Sequence, residues 1–190
     1  MSLILAVDIG TGSCRSALYN QGLERLSTEI VEYPTRYPQP DWAEQDPEQV
    51  FAAVLRTIAS TVSKYDGASH DITALTLDCS IHTLLGLAED HTPATPILTW
   101  EDSRARHLVK KWKQEDLGSE IYALTGCPLH PMYSSAKIAW WREHQFELFK
   151  RVRTFVSAKA FVLQRLTGVL VEDAATVAMN CRNSMPFSCW

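Results

Sequence analysis

The sequence lacks several features that would each assign it to a class of protein. No apolar run approaches the roughly 20 residues that a membrane-spanning helix needs, and Asp8 interrupts the N-terminal apolar stretch, which has no basic residue before it. We therefore expect neither a membrane span nor a secretory signal. Lysine and arginine number 18 against 22 aspartates and glutamates, giving a formal net charge of −4. A role on nucleic acid or on a membrane surface consequently has no electrostatic support.

The cysteines are too scattered for a disulfide framework. There are five, an odd number without any CxxC pair, at Cys14, Cys79, Cys127, Cys181 and Cys189. A disulfide-stabilised fold and a cysteine zinc site are therefore not expected. Unpaired cysteines are typical of a reducing compartment, so we expect a cytoplasmic protein.

The sequence has the pattern of a mixed α/β protein. Residues 3–9 form an apolar, β-branched run, and two more short strands are predicted at about 14–19 and 24–32, joined by glycine-bearing turns. Short strands connected by tight turns predict an antiparallel meander. Further strands are predicted at 72–78, which should be buried, at 83–87 and at 97–100.

Helices are predicted in the rest of the chain. After a proline-rich loop, Asp46 can cap a helix, Pro47 suits its first position and Gln49 completes a capping box. The helix should end near Tyr65, with a buried face formed by Val50, Val54, Leu55, Ile58 and Val62. Later helices are predicted at about 103–115, 118–125, 135–149 and 158–166.

The first segment whose residues suggest a chemical role is DIGTGSCR, residues 8–15, between two predicted strands. Small residues let backbone N–H groups approach a phosphate closely, and hydroxyls can donate as well. A carboxylate at a strand end can hold hydrated Mg²⁺, and an arginine could pair with a phosphoryl group. The segment is not a Walker A loop, because it has no GK[ST] and no following helix. The alternative is a glycine hairpin with a surface arginine. The residues concerned are Asp8 for the metal and Gly10, Thr11, Gly12, Ser13 and Arg15 for phosphate.

Two later polar segments could bind a ligand. Ile81 and His82 lie in a polar break between predicted strands, where open sheets usually bind ligands, although a lone histidine is otherwise a loop or core residue. Trp100 offers an aromatic face to a sugar, with Asp102 and Arg104 as bidentate polar partners. The alternative is that Asp102 or the serine after it caps the next helix while Trp100 fills the core.

The order of these motifs resembles that of the FGGY family of carbohydrate kinases. The resemblance rests on DIGT at residues 8–11, WAEQDP at 42–47, the pair Ile81 and His82, WEDSR at 100–104 and TGCPLHPM at 125–132. Taken alone, the TGCPLHPM segment is more simply interpreted as a rigid, proline-bracketed connector. Within the family, this segment is most similar to the corresponding loop of gluconokinases, with xylulokinases second. The resemblance covers about residues 3–170.

The resemblance implies a fold, a reaction and a site. The fold would be ribonuclease-H-like, of the actin type, with this chain as the N-terminal, sugar-side domain. The implied reaction is in-line transfer of the γ-phosphoryl group of ATP to a primary hydroxyl of a sugar or sugar acid, with Mg²⁺. Asp8 would then lie near the metal and the hairpin near the γ-phosphate. The sugar side would comprise Ile81, His82, Trp100, Asp102 and Arg104.

The resemblance also predicts that the chain is incomplete. In the family, the Asp general base and the nucleotide domain come after the point where this sequence ends, so no catalytic residue is assigned here. Similarity fades after about residue 170: Asp173 fits the family pattern, but the aromatic and serine positions beside it do not. We expect residues 1–178 to be an incomplete domain and 179–190 an atypical tail, in a truncated or frameshifted chain that is inactive alone. The alternative is a non-catalytic remnant or binding module. Exposed apolar surface would favour a homo-oligomer.

Overall fold

The computed structural model describes residues 2–67, 69–115, 117–173 and 176. The predicted tail at 179–190, with Cys181 and Cys189, lies outside these residues. The chain divides into two compact units: the first comprises Met1–Thr35 and Gln45–Ser80, and the second Arg36–Glu44 and Ile81–Trp190. The strands are β1 (Leu3–Ile9), β2 (Ser13–Tyr19), β3 (Arg25–Glu32), β4 (Glu44–Gln45), β5 (Ile72–Cys79), β6 (Leu85–Leu87), β7 (Ile97–Leu98) and β8 (Thr154–Val156). The helices are α1 (Pro47–Ser63), α2 (Arg106–Gln114), α3 (Leu117–Thr125), α4 (Ser134–His144), α5 (Phe146–Phe149) and α6 (Ala158–Thr167).

The first unit is built on a four-stranded sheet of order β3-β2-β1-β5. β1, β2 and β3 pair antiparallel, and this confirms the predicted meander. β5 returns parallel to β1, so that Asp78 lies beside Asp8 in the register. Alternate residues of β1 (Leu3, Leu5, Val7 and Ile9) are buried and form the core face of the sheet.

α1 covers that face, and the predicted cap Asp46 and first residue Pro47 are confirmed. The Asp46 carboxylate accepts from the backbone N–H groups of Glu48 and Gln49 at 3.0 and 3.2 Å. The buried face was predicted less well, because Leu55 is largely exposed. Side chains three or four positions apart share a helix face, and here the buried set follows Val50. It consists of Pro47, Val50, Phe51, Ala53, Val54, Thr57 and Thr61.

The N-cap of α1 provides a first prediction about stability. We expect Asp46→Ala to lower the free energy of unfolding of the first unit by about 1 kcal/mol, since two N–H groups of the first turn lose their acceptor. Urea unfolding followed by far-UV circular dichroism measures the loss. Asp46→Asn is the matched control, because its side-chain oxygen still accepts, and it should retain most of the stability. Equal losses in both variants would contradict a capping role.

The prediction that β5 is a buried strand was right about the strand and wrong about its burial. Most of its residues are exposed, Leu75 among them. β5 is the edge of the sheet in the described chain, and α1 packs on β1, β2 and β3. An apolar run therefore indicated a strand, but the position of that strand in the sheet decided its exposure.

The second unit is mainly helical and contains a large apolar cluster. α2, α3 and α4 contribute most of this cluster, in which Trp141 is fully buried. The helix predicted at 135–149 is interrupted at Gln145 and forms α4 and α5. β8 was not predicted; it pairs antiparallel with β6. In the described ranges we find no helix with the length and apolar character needed to cross a bilayer.

Candidate functional site

The hairpin between β1 and β2 is closed by a backbone hydrogen bond. The N–H of Gly10 donates to the carbonyl of Ser13 at 2.9 Å. A Cβ atom at Gly10 would lie only 3.2 Å from that same carbonyl, whereas one at Gly12 would meet no atom within 4 Å. The tightness of the turn therefore favours glycine at Gly10, while Gly12 keeps the space in front of the loop open.

The carbonyl groups of the hairpin are held by neighbouring side chains and backbone of the first unit. The Tyr33 hydroxyl donates to the carbonyl of Gly10, and the Tyr33 N–H donates to that of Gly12. The carbonyl of Thr11 accepts from the hydroxyl of Thr35 at 2.9 Å and from the amide of Gln45. All three loop carbonyls thus have donors from residues that follow β3.

Because the carbonyls are held on one side, the N–H groups of the loop point to the other side. In a planar trans peptide, the N–H points opposite to the carbonyl of the same peptide group. The N–H groups of Thr11 and Gly12 therefore point away from Tyr33, Thr35 and Gln45. A small-residue hairpin with its carbonyls held behind and its N–H groups in front has the polarity that binds an anion such as a phosphate.

Tyr33 and Gln45 are parts of this site that sequence reasoning missed. Burial raises the pKa of the Tyr33 phenol well above its ordinary value, with smaller contributions from the charges of Cys79, Cys14 and Asp8. The hydroxyl therefore remains a proton donor to the hairpin at physiological pH. Gln45 is almost fully buried. It belongs to the WAEQDP segment, which suggested a family resemblance but not a role in holding the loop.

The open face of the sheet in the first unit carries charges beside the hairpin. Asp8 and Arg15 are cross-strand neighbours, both about half exposed, with Nη1 of Arg15 4.0 Å from Oδ2 of Asp8. They line a shallow groove with Asp78, over a floor that includes Ala6, Ala17 and Thr76. Asp78 was not among the predicted site residues, and only the parallel pairing of β5 with β1 brings it beside Asp8.

In the second unit, Asp102 and Arg104 are bonded to each other. Arg104 Nε lies 2.9 Å from Oδ1 and Nη2 lies 2.8 Å from Oδ2 of Asp102, and Nη2 also lies 2.6 Å from Oε1 of Glu44. Oδ2 accepts in addition from the N–H of Ala43 at 2.8 Å. The side chains of Arg104 and Asp102 are 1% and 0% exposed. A direct contact of either with sugar stays a prediction, and their geometry is that of a buried ion pair.

Two tryptophans complete the surroundings of this ion pair. The Arg104 guanidinium lies over the Trp42 ring, 3.9 Å from its centroid, and Trp42 packs edge-on against Trp140 at 5.2 Å. A desolvated guanidinium over an indole face is a favourable cation–π contact. Arg104 thus joins segment 36–44 to the loop before α2. Neither proposed helix cap is present, because the N-cap residue of α2 is Ala105, which has no side-chain cap.

His82 has a strained backbone whose carbonyl is bonded to a buried lysine. Its φ angle is +61°, in the left-handed region that non-glycine residues rarely adopt. Its carbonyl accepts from Nζ of Lys137 at 3.1 Å, and the same Nζ donates to the carbonyl of Thr99 at 2.7 Å. Lys137 therefore connects the predicted sugar-side residue His82 with the residue before Trp100.

Lys137 is fully buried, and its environment is unusual for a lysine. Burial lowers the pKa of its ammonium to about 7; the charge of Arg104 acts in the same direction and that of Asp102 opposes it. The His82 ring packs edge-on against Tyr133, with 5.1 Å between the ring centroids. Sequence reasoning missed Lys137, because a lysine in the middle of a predicted helix gives no sign of its burial.

Ile81 and Trp100 are the predicted sugar-side residues that the structure leaves accessible, at 43% and 47% exposure. His82 is buried with its ring on Tyr133. The alternative in which Trp100 fills the core is therefore wrong. Since Lys137 bonds the carbonyls of His82 and Thr99, the segments carrying Ile81 and Trp100 are held by one side chain.

Comparison with known proteins assigns the family. The N-terminal domain of the FGGY family of carbohydrate kinases matches residues 3–183. A gluconokinase of Bacillus subtilis is 31% identical over 185 residues, which are 95% of this chain and 36% of that protein. Among solved structures, a gluconate kinase and a ligand-bound xylulose kinase, both from Lactobacillus acidophilus, are each 30% identical with a TM-score of 0.89. The match to the gluconate kinase covers 94% of this chain, and the match to the xylulose kinase covers 95%. Each match covers 36% of the other protein's chain.

These likenesses define a class of protein and then a family. The fold is the actin-like ATPase fold of sugar kinases, and this confirms the predicted fold class. The chain belongs to the FGGY family of carbohydrate kinases and corresponds to its N-terminal domain. It spans about a third of the length of the curated relatives it matches, 36% and 33% for two gluconokinases.

Proposed function

We propose that this chain contributes the phosphate hairpin and the sugar-binding part of an ATP-dependent kinase that phosphorylates a primary hydroxyl of gluconate or a similar sugar acid. The observation that carries the proposal is the hairpin after β1: the carbonyls of Gly10, Thr11 and Gly12 are bonded from behind, so that the N–H groups of Thr11 and Gly12 face outward. The name of the 31% identical relative, a gluconokinase, supports the choice of gluconate.

The first unit supplies the residues for the ATP phosphates and the metal. The N–H groups of Thr11 and Gly12 would hold phosphate oxygens, and Arg15, half exposed beside Asp8, would pair with the phosphoryl group. Carboxylates are the ligands that Mg²⁺ prefers, and Asp8 and Asp78 lie side by side on the open face of the sheet. Asp8 would therefore hold Mg²⁺, which when bound neutralises charge on the phosphates.

The second unit supplies the sugar side. Trp100 would place its exposed ring against the apolar face of the sugar, and Ile81 would pack beside it. Asp102, Arg104 and Lys137 would hold these segments from within. We also propose a cytoplasmic location, where ATP is available, in keeping with the scattered cysteines of the sequence.

A ketopentose is the second candidate substrate. A xylulose kinase structure matches this chain with the same TM-score and identity as the gluconate kinase, 0.89 and 30%. Isothermal titration of the chain with gluconate and with xylulose separates the two. We expect saturable binding of gluconate, weaker binding of xylulose, and a loss of about two- to twelvefold in gluconate affinity on Trp100→Ala, since an aromatic contact contributes about 0.5–1.5 kcal/mol.

Tyr122→Ala is the matched control, because Tyr122 is an exposed aromatic residue of the same unit that belongs to no proposed site. It should leave the affinity unchanged. If neither sugar binds at millimolar concentration, the proposed sugar site is wrong. An ATP-dependent phosphorylation assay then distinguishes an enzyme from a binding module with the same fold: phosphogluconate formed by this chain would exclude the non-catalytic alternative.

A further inference from the structure

Three potential metal ligands outside the proposed kinase site converge on the surface of the second unit. His107 is in the first turn of α2, and Glu143 and His144 are the last two residues of α4. One ligand atom from each lies within 4.8 Å of the other two. All three side chains are exposed, so an ion could reach them from solvent.

The ring of His144 has the hydrogen bond that a metal-binding histidine usually has. Its Nδ1 lies 3.2 Å from the backbone carbonyl of Trp140. A carbonyl oxygen only accepts, so Nδ1 must carry the proton in this contact, and Nε2 of the neutral ring keeps its lone pair. Metal-ligating histidines commonly donate their other ring N–H to such a carbonyl, which fixes both the tautomer and the ring orientation.

The orientation of this ring is held further by a buried side chain. His144 stacks on Trp140 with 4.9 Å between centroids and an angle of 3° between planes, and the Trp140 side chain belongs to the apolar core. His107 meets the ring of His144 edge-on at 5.0 Å. Two imidazoles are therefore already side by side.

The cluster is supported by two helices anchored in one core. α2 buries Leu108 directly after His107, and α4 buries Trp140 and Trp141, all within the same apolar cluster. Ligands on packed helices keep their geometry better than ligands on loops. In addition, the C-terminal end of α4 carries partial negative charge from its last carbonyl groups, which favours a cation beside His144.

We propose that His107, Glu143 and His144 bind a divalent transition-metal ion, Zn²⁺ in the first instance. Two imidazole nitrogens and one carboxylate oxygen form a donor set that zinc takes readily, whereas Mg²⁺ and Ca²⁺ prefer oxygen ligands throughout. Three protein ligands leave a coordination position for water. The ion would join α2 to α4, and the site is separate from the one proposed for Mg²⁺ at Asp8.

The proposal is tested by calorimetric titration of the untagged, metal-free chain with Zn²⁺. We expect one ion per chain. His107→Ala and His144→Ala should each weaken binding by at least about tenfold. Loss of a residue that only hydrogen-bonds to a metal ligand already weakens metal binding about 10- to 100-fold. Glu143→Gln should also weaken it. All three side chains are exposed, so the variants should keep the parent circular dichroism spectrum, which is checked for each.

His70→Ala is the control, since His70 is an exposed histidine of the first unit. It should bind Zn²⁺ like the parent chain. Co²⁺ as a probe separates this site from the cysteines, because thiolate ligation gives an intense charge-transfer absorption that nitrogen and oxygen ligands do not. The proposal is overturned if no saturable binding occurs, if either histidine variant keeps the parent affinity, or if the Co²⁺ spectrum shows thiolate ligation.

Discussion

Arg104→Ala should lower the free energy of unfolding of the second unit by about 3–5 kcal/mol, the cost typical of removing one partner of a buried ion pair. Asp102 is 0% exposed and receives three side-chain hydrogen bonds from Arg104. Without the guanidinium, its carboxylate would stay buried with backbone donors, the N–H groups of Ala43 and of residue 104. Trp42 would also lose the cation that lies over its ring.

Tryptophan fluorescence during urea unfolding measures this loss selectively. All five tryptophans among the described residues (Trp42, Trp100, Trp112, Trp140 and Trp141) lie in the second unit, so the signal reports that unit. Arg104→Lys should recover only part of the stability, because an ammonium cannot reproduce the forked contact with Asp102.

Arg106→Ala is the matched control for Arg104→Ala. Arg106 pairs with Asp41 at 2.8 Å, but both side chains are exposed, at 65% and 43%. Exposed pairs of this kind contribute about 1 kcal/mol or less, so this variant should be nearly as stable as the parent. Similar losses in Arg104→Ala and Arg106→Ala would contradict the structural role of the buried network.

Lys137→Met should give a stability difference from the parent chain that grows with pH above 7. Burial lowers the pKa of Lys137 to about 7 in the folded chain, against an ordinary value of 10.5. Between these values, the unfolded chain binds a proton at Lys137 that the folded chain does not. Stability therefore rises with pH in this window, by up to about 1.4 kcal/mol per pH unit, and this gain is lost as the pH falls through 7.

The neutral amine of Lys137 still suits its site. It has two N–H donors, and the carbonyls of His82 and Thr99 are its two acceptors. Methionine has a similar length but removes this donor from both carbonyls. The carbonyl of Thr99 keeps the N–H of Asp102 at 3.2 Å, whereas an unsatisfied buried carbonyl at His82 costs about 1–3 kcal/mol. We therefore expect the parent chain to exceed Lys137→Met in stability by an increasing margin from pH 7 to 9.

Urea unfolding at several pH values, again followed by tryptophan fluorescence, gives this margin directly, because other titrating groups largely cancel in the difference. Lys113→Met is the control: Lys113 is an exposed lysine of α2, and its replacement should give a difference independent of pH over the same range. A constant margin for Lys137→Met would show that Lys137 stays protonated in the folded chain.

The elements that the sequence predicted best are those specified by neighbouring residues. The meander follows from short apolar runs between glycine turns, and α1 follows from Asp46, Pro47 and an apolar period. The family and the hairpin near β1 could also be predicted, since their motifs are contiguous and occur in a recognisable order.

The sequence by itself thus determined the family, most of the strand and helix order, and the position of the hairpin after β1, because these depend on interactions between residues close in the chain. Only the tertiary structure decided which polar side chains are accessible. Arg104 meets Glu44 across 60 positions and Lys137 meets His82 across 55, contacts that no local pattern encodes. For the same reason β5 is an exposed edge, although its apolar sequence indicated burial.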